Sequence, residues 1–210
     1  MKKIFLSLAL SALAAVGMLS ISSCEKEENN TINGHEYVDL GLPSGLKWAT
    51  CNVGANNPEE YGNYYAWGEI VPKTDYSYEN CATMGQQFGN ISGNAFYDAA
   101  TANWGAPWRM PTKEEMKELI DNCTFKWTTQ NGTTGTLVTG KNGNTIFFPA
   151  NGYYLGISYY KNALTGYYWS ANGETIIPNS ASFFLKLSNE RYLIDWFTRY
   201  YGYGVRPVSD

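Results

Sequence analysis

Pro111-Thr112-Lys113-Glu114-Glu115-Met116-Lys117-Glu118-Leu119-Ile120-Asp121-Asn122-Cys123 carries a glutamate three residues after its threonine. The Thr112 hydroxyl can accept from the amide of Glu115 while the Glu115 carboxylate reaches back to the Thr112 amide. The two orphan donors of a helix start are then satisfied reciprocally. Met116, Leu119, Ile120 and Cys123 fall at i, i+3, i+4 and i+7 and form one apolar stripe, leaving Lys113, Lys117 and Glu118 for solvent. The spacing predicts one clear helix over about 112–123 that packs by that stripe.

On the C-terminal side the pattern changes to short runs rich in Thr, Tyr and Phe. Strands are predicted at 125–129, 136–139, 145–148 and 152–154, with Asn131-Gly132 and Asn142-Gly143 supplying the positive φ angles of tight hairpin turns. Further strands are predicted at 167–170, 181–187, 192–197 and 203–208, with turns around Asn172-Gly173 and Ser188-Asn189. On the N-terminal side, 37–49 reads as strand, turn and strand around Pro43-Ser44-Gly45, and 64–67 as a short strand. No period is sustained over 71–103, which reads as loop with helical character near 98–102. The expected fold class is α+β: one helix docked on short antiparallel hairpins, with long irregular loops.

The chain begins with Lys2 and Lys3, runs apolar from Ile4 to Leu19, and reaches Ile21-Ser22-Ser23-Cys24. The apolar run is too short to cross a bilayer and ends in small residues before a cysteine, so 1–23 reads as a signal peptide. The tetrapeptide resembles the bacterial lipobox, which implies that Cys24 becomes the first residue and takes a lipid. The expected membrane partnership is through that lipid alone. Glu25-Lys26-Glu27-Glu28-Asn29-Asn30 is too poor in apolar groups to fold, and 24–36 reads as an acidic flexible tether before a domain at 37–210. The acidic run also resembles the export tags of Bacteroidetes lipoproteins, which implies an outer-membrane, cell-surface location.

The formal net charge is −4 with a sequence pI of 5.1 and no basic cluster, so nucleic-acid binding has no electrostatic footprint. Metal and nucleotide chemistry lack their usual marks. The single histidine, His35, sits near the tether and reads as a solvated side chain, and there is no Cys-x-x-Cys pair, Gly-rich phosphate loop or EF-hand pattern. No cofactor, metal site or catalytic residue is expected.

Several separated motifs carry a family resemblance: Leu46-Lys47-Trp48-Ala49-Thr50-Cys51-Asn52-Val53-Gly54-Ala55, Tyr64-Tyr65-Ala66-Trp67-Gly68-Glu69, Trp108-Arg109-Met110-Pro111-Thr112, Tyr168-Trp169-Ser170 and Tyr200-Tyr201-Gly202-Tyr203-Gly204-Val205-Arg206-Pro207-Val208. In this order, across about 37–208, the chain resembles the Fibrobacter succinogenes major paralogous domain family. The resemblance implies a C-type lectin-like fold, in the branch that includes the formylglycine-generating enzymes, with a binding surface on the later hairpins. Those enzymes use paired cysteines near the C-terminal end of the domain, whereas this chain has only Cys51, Cys81 and Cys123 after Cys24. That departure argues against catalysis. Three cysteines permit one disulfide with a thiol left over, and for Cys123 on the helix stripe a buried free thiol is as good a reading as a bridge. The calcium-binding Glu-Pro-Asn motif of sugar-binding C-type lectins is absent. The stretch 167–206 also resembles the region rewritten in retroelement-diversified variable proteins of the same fold.

Aromatic residues make up 16% of the chain, with 17 Tyr and 7 Trp, against only 16% charged residues. Most of these rings are expected to pack across strands. As a group near the later hairpins, mixed with Asn, Ser and Gly, they have the composition of a recognition surface. The expected ligand site is Asn189, Arg191, Tyr192, Asp195 and Trp196 around the Ser188-Asn189-Glu190 turn, with Tyr160 beside it; Arg199 also reads as surface. The expected function is a non-catalytic surface lipoprotein that binds an extracellular protein or glycan. An exported enzyme related to the formylglycine generators and a subunit of a surface appendage are the alternatives.

Overall fold

The computed structural model describes residues 30–161, 164–175 and 179–210; Cys24 and the preceding segment lie outside the described residues. In chain order it contains β1 (Thr31–Ile32), β2 (His35–Asp39), β3 (Lys47–Ala49), α1 (Ala99–Trp104) and α2 (Lys113–Asn122). There follow β4 (Thr124–Gln130), β5 (Thr133–Thr139), β6 (Thr145–Pro149), β7 (Tyr153–Leu155), β8 (Ser158–Tyr160), β9 (Thr165–Gly173), β10 (Ala181–Ser188), β11 (Tyr192–Thr198) and β12 (Val208–Ser209). The strands form antiparallel sheets in the orders β1-β2-β3-β12, β11-β10-β9 and β4-β5-β6, with β7-β8 as a separate hairpin. This is the α+β architecture expected from the sequence.

The helix start is the one read from the capping box. Glu115 N–H donates to Thr112 Oγ1 at 3.2 Å and Thr112 N–H to Glu115 Oε2 at 2.8 Å. Arg109 grips the same carboxylate from both guanidinium nitrogens, at 2.9 and 2.7 Å, and its Nη2 also reaches Asp210 at 2.7 Å. One glutamate therefore caps the helix and, through Arg109, fastens the C-terminal residue. Met116 and Leu119 are fully buried, while Ile120 and Cys123 pack from the half-buried edge of the stripe. α1 is the short helix foreshadowed at 98–102, capped by the Asp98 carboxylate, which accepts from Ala100 and Thr101.

Four sequence expectations need correction. The stretch 31–36 is not tether: Asn33 and Gly34, at φ 49° and 79°, make the tight turn that pairs β1 with β2. That hairpin is held by Trp108 Nε1 donating to Ile32 O at 2.9 Å and by Asn33 Nδ2 donating to Trp104 O at 3.1 Å. His35 is half-buried rather than freely solvated; its ring stacks on Trp104 at 3.7 Å, and burial pulls its pKa down. The runs 64–67 and 203–208 are not regular strands. The C-terminal segment gives its backbone to a succession of neighbours, through bridges Tyr154–Gly202, Tyr65–Tyr203 and Tyr168–Gly204, before Val208 joins β3. Glycine is required on that path, because a Cβ on Gly204 would lie 2.5 Å from Asn151 Nδ2. Finally, Asn172-Gly173 is not a turn but the end of β9, where Asn172 Oδ1 accepts from Lys113 N–H in the first turn of α2 at 2.8 Å.

The core divides around the central sheet. One side gathers Tyr65, Trp67, Trp108, Trp169, Phe184 and Tyr203; the other gathers Trp48, Met116, Leu119, Phe148, Tyr168, Leu185 and Leu187. Arg206, 1% exposed, joins the two ends of the chain across this core. Cys51, Cys81 and Cys123 are all free thiols, so no disulfide forms among them, and burial pushes each thiol pKa up.

Candidate functional site

The β10–β11 hairpin sets the site by strand parity. Ser182 pairs with Phe197, Phe184 with Asp195 and Lys186 with Leu193, while Phe183 pairs with Trp196, Leu185 with Ile194 and Leu187 with Tyr192. Side chains alternate between faces along each strand, so the two sets lie on opposite sides of the sheet. Leu185, Leu187 and Ile194 belong to the cluster built on α2, and Tyr192 stacks on Phe125 at 4.1 Å. Phe184, Lys186, Asp195 and Phe197 therefore face away from the helix.

On that outer face the tyrosines form a continuous surface. Tyr160 of β8 stacks on Tyr153 of β7 at 5.0 Å with planes 11° apart. Tyr153 in turn touches Tyr167 and Tyr201, each at 5.4 Å. Tyr167 stacks on Tyr203 at 5.0 Å, and Phe197 meets Tyr201 edge-on at 4.9 Å. The Lys186 ammonium sits 5.8 Å from the centre of the Tyr167 ring. From there a cleft of about 300 Å³ continues between Leu164, Thr165, Lys186, Ser188, Asn189, Glu190 and Arg191. Tyr203 is buried and forms the floor, whereas Tyr160 and Phe197 are 45% and 44% exposed at opposite margins. Burial pushes the phenol pKa values of Tyr167, Tyr201 and Tyr203 up, so at neutral pH these hydroxyls are protonated and able to donate.

Such an arrangement offers flat apolar area, hydroxyl donors and acceptors, and cationic groups at one end. It can stack on a sugar ring or an aromatic side chain and can meet an anion with Lys186 and Arg191. Among the described residues, no group of three or more His, Cys, Asp or Glu is arranged to hold a metal, and no helix is long and apolar enough to cross a membrane.

All six sequence-predicted ligand residues are exposed, but they do not share one surface. Asn189 and Arg191 line the cleft, Tyr160 edges the tyrosine surface, and Asp195, opposite Phe184, lies on the same side of the sheet. Tyr192 and Trp196 point to the α2 side. Among the described residues no ion pair joins Arg191 to Asp195; the Asp195 carboxylate instead accepts from the N–H of Trp196 at 2.9 Å. Arg199 is wholly buried and donates to the carbonyls of Thr83, Gln86 and Ala181, with its plane over Trp67 at 4.5 Å. Sequence reasoning missed Tyr167, Lys186, Phe197 and Tyr201. A signal existed in β10, where Phe184 and Lys186 stand two apart and must share a face. No protein family, curated protein or solved structure matches the chain.

Proposed function

We propose that this protein is a surface lipoprotein of the outer membrane whose C-type lectin-like domain binds an extracellular protein or glycan without catalysis. The lipid on Cys24 holds it to the membrane, and ligand is taken on the tyrosine surface and the adjoining cleft. The observation that carries the reading is the unbroken run of rings from Tyr160 through Tyr153 and Tyr167 to Lys186, continued by Asn189 and Arg191. Tyrosine offers large contact area with few side-chain torsions to freeze, which suits recognition. The region 167–206, which resembles the rewritten part of variable proteins, contributes most of this surface.

The test is an array of glycans and bacterial and host surface proteins probed with the protein. Tyr160→Ala and Arg191→Ala should each weaken capture of the ligand found, one of them by about 2 kcal/mol or more, with the melting temperature nearly unchanged. Affinity left intact by both, and by Asn189→Ala, would place the ligand elsewhere. The anchor is tested separately: Cys24→Ala should abolish incorporation of labelled fatty acid, and label still entering that variant would refute the lipoprotein reading.

A further inference from the structure

β11 is the outer strand of its sheet, so one of its backbone edges is not paired with β10. The hairpin is bracketed by Ser188 N–H donating to Arg191 O at 2.9 Å and Arg199 N–H donating to Ser180 O at 3.0 Å. Bonded pairs alternate along an antiparallel ladder. In the observed register, Leu193, Asp195 and Phe197 therefore turn their backbone groups toward β10, and Tyr192, Ile194, Trp196 and Thr198 turn theirs outward. Two of the outward groups have partners: Trp196 N–H donates to the Asp195 carboxylate, and Thr198 O accepts from Tyr201 N–H at 3.4 Å. Among the described residues, none joins the N–H groups of Tyr192 and Ile194 or the carbonyls of Tyr192, Ile194 and Trp196.

This edge is long, carries a single charge and exposes Tyr192, Trp196 and Phe197. Natural edge strands are usually shortened, charged or covered, because an open one is a template for another strand. We propose that the outer edge of β11 pairs antiparallel with the same edge of a second copy, giving a two-fold dimer whose central sheet runs through both.

Self-complementarity selects that occupant, and strand length and charge select its register, since a pairing centred on Leu193 would overlap only residues 192–194 of the two strands. A two-fold pairing that joins outward groups to outward groups must set even-numbered residues opposite even-numbered ones. Centring it on Asp195 would bring the two aspartates face to face at a close, non-bonded pair, about 4.5 Å apart, which like charges disfavour. Centring it on Ile194 sets Tyr192 of each copy opposite Trp196 of the other, a favourable aromatic cross-strand pair made twice. Arg191 then lies opposite Phe197 and diagonal to Asp195 of the other copy, within reach of its long side chain. Asp195 would release the N–H of Trp196 to the new ladder and turn its carboxylate to that arginine. The chain's own 24–29 segment, Cys-Glu-Lys-Glu-Glu-Asn, has no apolar alternation to match this edge.

The geometry has a consequence for binding. Residues that meet across the pairing lie on the same face, so the two tyrosine surfaces would open on one side of the joined sheet. That consequence rests on the proposed ligand surface; the dimer does not. A ligand with repeated epitopes could then be held at two points, raising avidity without any new contact.

The experiment is sedimentation equilibrium of the full-length protein in density-matched detergent micelles. The protein mass should approach that of two chains at concentrations of roughly 10–100 µM, as for a small interface, and fall toward one chain on dilution. Tyr192→Lys together with Trp196→Lys sets like charges directly opposite and should weaken association about tenfold or more. Tyr192→Lys together with Trp196→Glu sets opposite charges there and should restore the dimer in low salt. A single-chain mass for the unsubstituted protein up to about 1 mM overturns the proposal. So does an undiminished dimer in the double-lysine variant, or a lysine–glutamate variant no stronger than it. Near-UV circular dichroism verifies that both variants keep the fold, and the unsubstituted protein alone decides the matter if either does not. A monomer that instead captures an extended apolar peptide on this edge also overturns the second-copy assignment. Because no ligand enters the assay, failure of the dimer leaves the binding reading standing.

Discussion

Replacing Arg206 by methionine removes the group that closes the fold while keeping most of its apolar stem. In the folded chain its Nε donates to Asn52 Oδ1 at 2.8 Å, and Nη1 donates to Ala49 O and Thr50 O at 3.1 and 2.9 Å. Nη2 donates to Phe147 O at 3.0 Å, and the guanidinium lies 4.5 Å from the centre of the Phe148 ring. No carboxylate stands among these partners, and burial pulls the arginine pKa down. At about 1.5–3 kcal/mol for each bond to a charged group, the four bonds set an upper bound of roughly 6–12 kcal/mol. Relief of the guanidinium's desolvation offsets part of that, while buried acceptors left without a donor cost about 1–3 kcal/mol each, so a net loss of about 3–5 kcal/mol is expected. For a domain of this size each kcal/mol shifts the melting temperature by about 2–4 °C, so Arg206→Met should melt roughly 6–20 °C lower. Arg206→Lys should fall between the two, since a compact ammonium cannot reproduce a planar fork that spans β3, the loop after it and β6. The assay is thermal unfolding by circular dichroism, checked by urea denaturation. A methionine variant melting within about 2 °C of the unsubstituted protein would refute the reasoning.

In α2, Leu119→Ala should cost about 2–5 kcal/mol through lost transfer energy and a residual cavity, and Ile120→Ala less, because Ile120 is only half-buried. Thr112→Ala should cost only about 1 kcal/mol; urea midpoints that rank the cap above Leu119 would contradict the packing described. Gly140→Ala would set a Cβ 2.0 Å from the carbonyl oxygen of Leu40, a backbone atom that cannot turn aside, and should destabilise by about 1–3 kcal/mol; an unchanged melting curve would deny that contact. Burial raises the phenol of Tyr76 to about 12, above its ordinary value near 10. The stability this group contributes is full below pH 10 and lost as pH rises toward 12, at about 1.4 kcal/mol per pH unit. Melting temperature should therefore fall steeply above pH 10, and a flat profile to pH 11.5 would count against it. Without reductant, Cys51, Cys81 and Cys123 should all titrate with a thiol reagent after denaturation, and Cys81, which is buried, slowly before it. Recovery of one thiol from the three would reveal a disulfide.

Local chemistry made part of this fold legible in advance. The Thr112–Glu115 capping box marks a helix start within four residues, and the stripe at Met116 and Leu119 names its buried face. The Asn131-Gly132 turn places β4 against β5 in the observed register. Asn33-Gly34 carries the same signal, yet the polar run before it outweighs it when only composition is read. The segment 203–208 looks like a strand because its residues alternate, but its backbone partners are scattered from Tyr65 to Tyr168, and no local pattern encodes that. The site was legible to the same limited depth. Asn189 and Arg191 stand out because a turn exposes them, while Arg199 reads as surface although its charge is sealed among carbonyls, two of them contributed by residues more than a hundred positions away.

By itself the sequence determined what depends on neighbours a few positions apart: the capped helix, the hairpins with Asn-Gly turns, and the excess of tyrosine over charge. Only the tertiary structure decided which rings became core and which became surface. Tyr168 and Tyr167 are adjacent in the chain, yet one is fully buried and the other is half-buried on the tyrosine surface, because the side chains of a strand alternate and the sheet has α2 on one side only. The same alternation separates Tyr192 and Trp196 from Asp195, which sequence proximity had joined. Spacing in the chain records a strand's period, but the face that period presents to solvent is set by what packs from elsewhere.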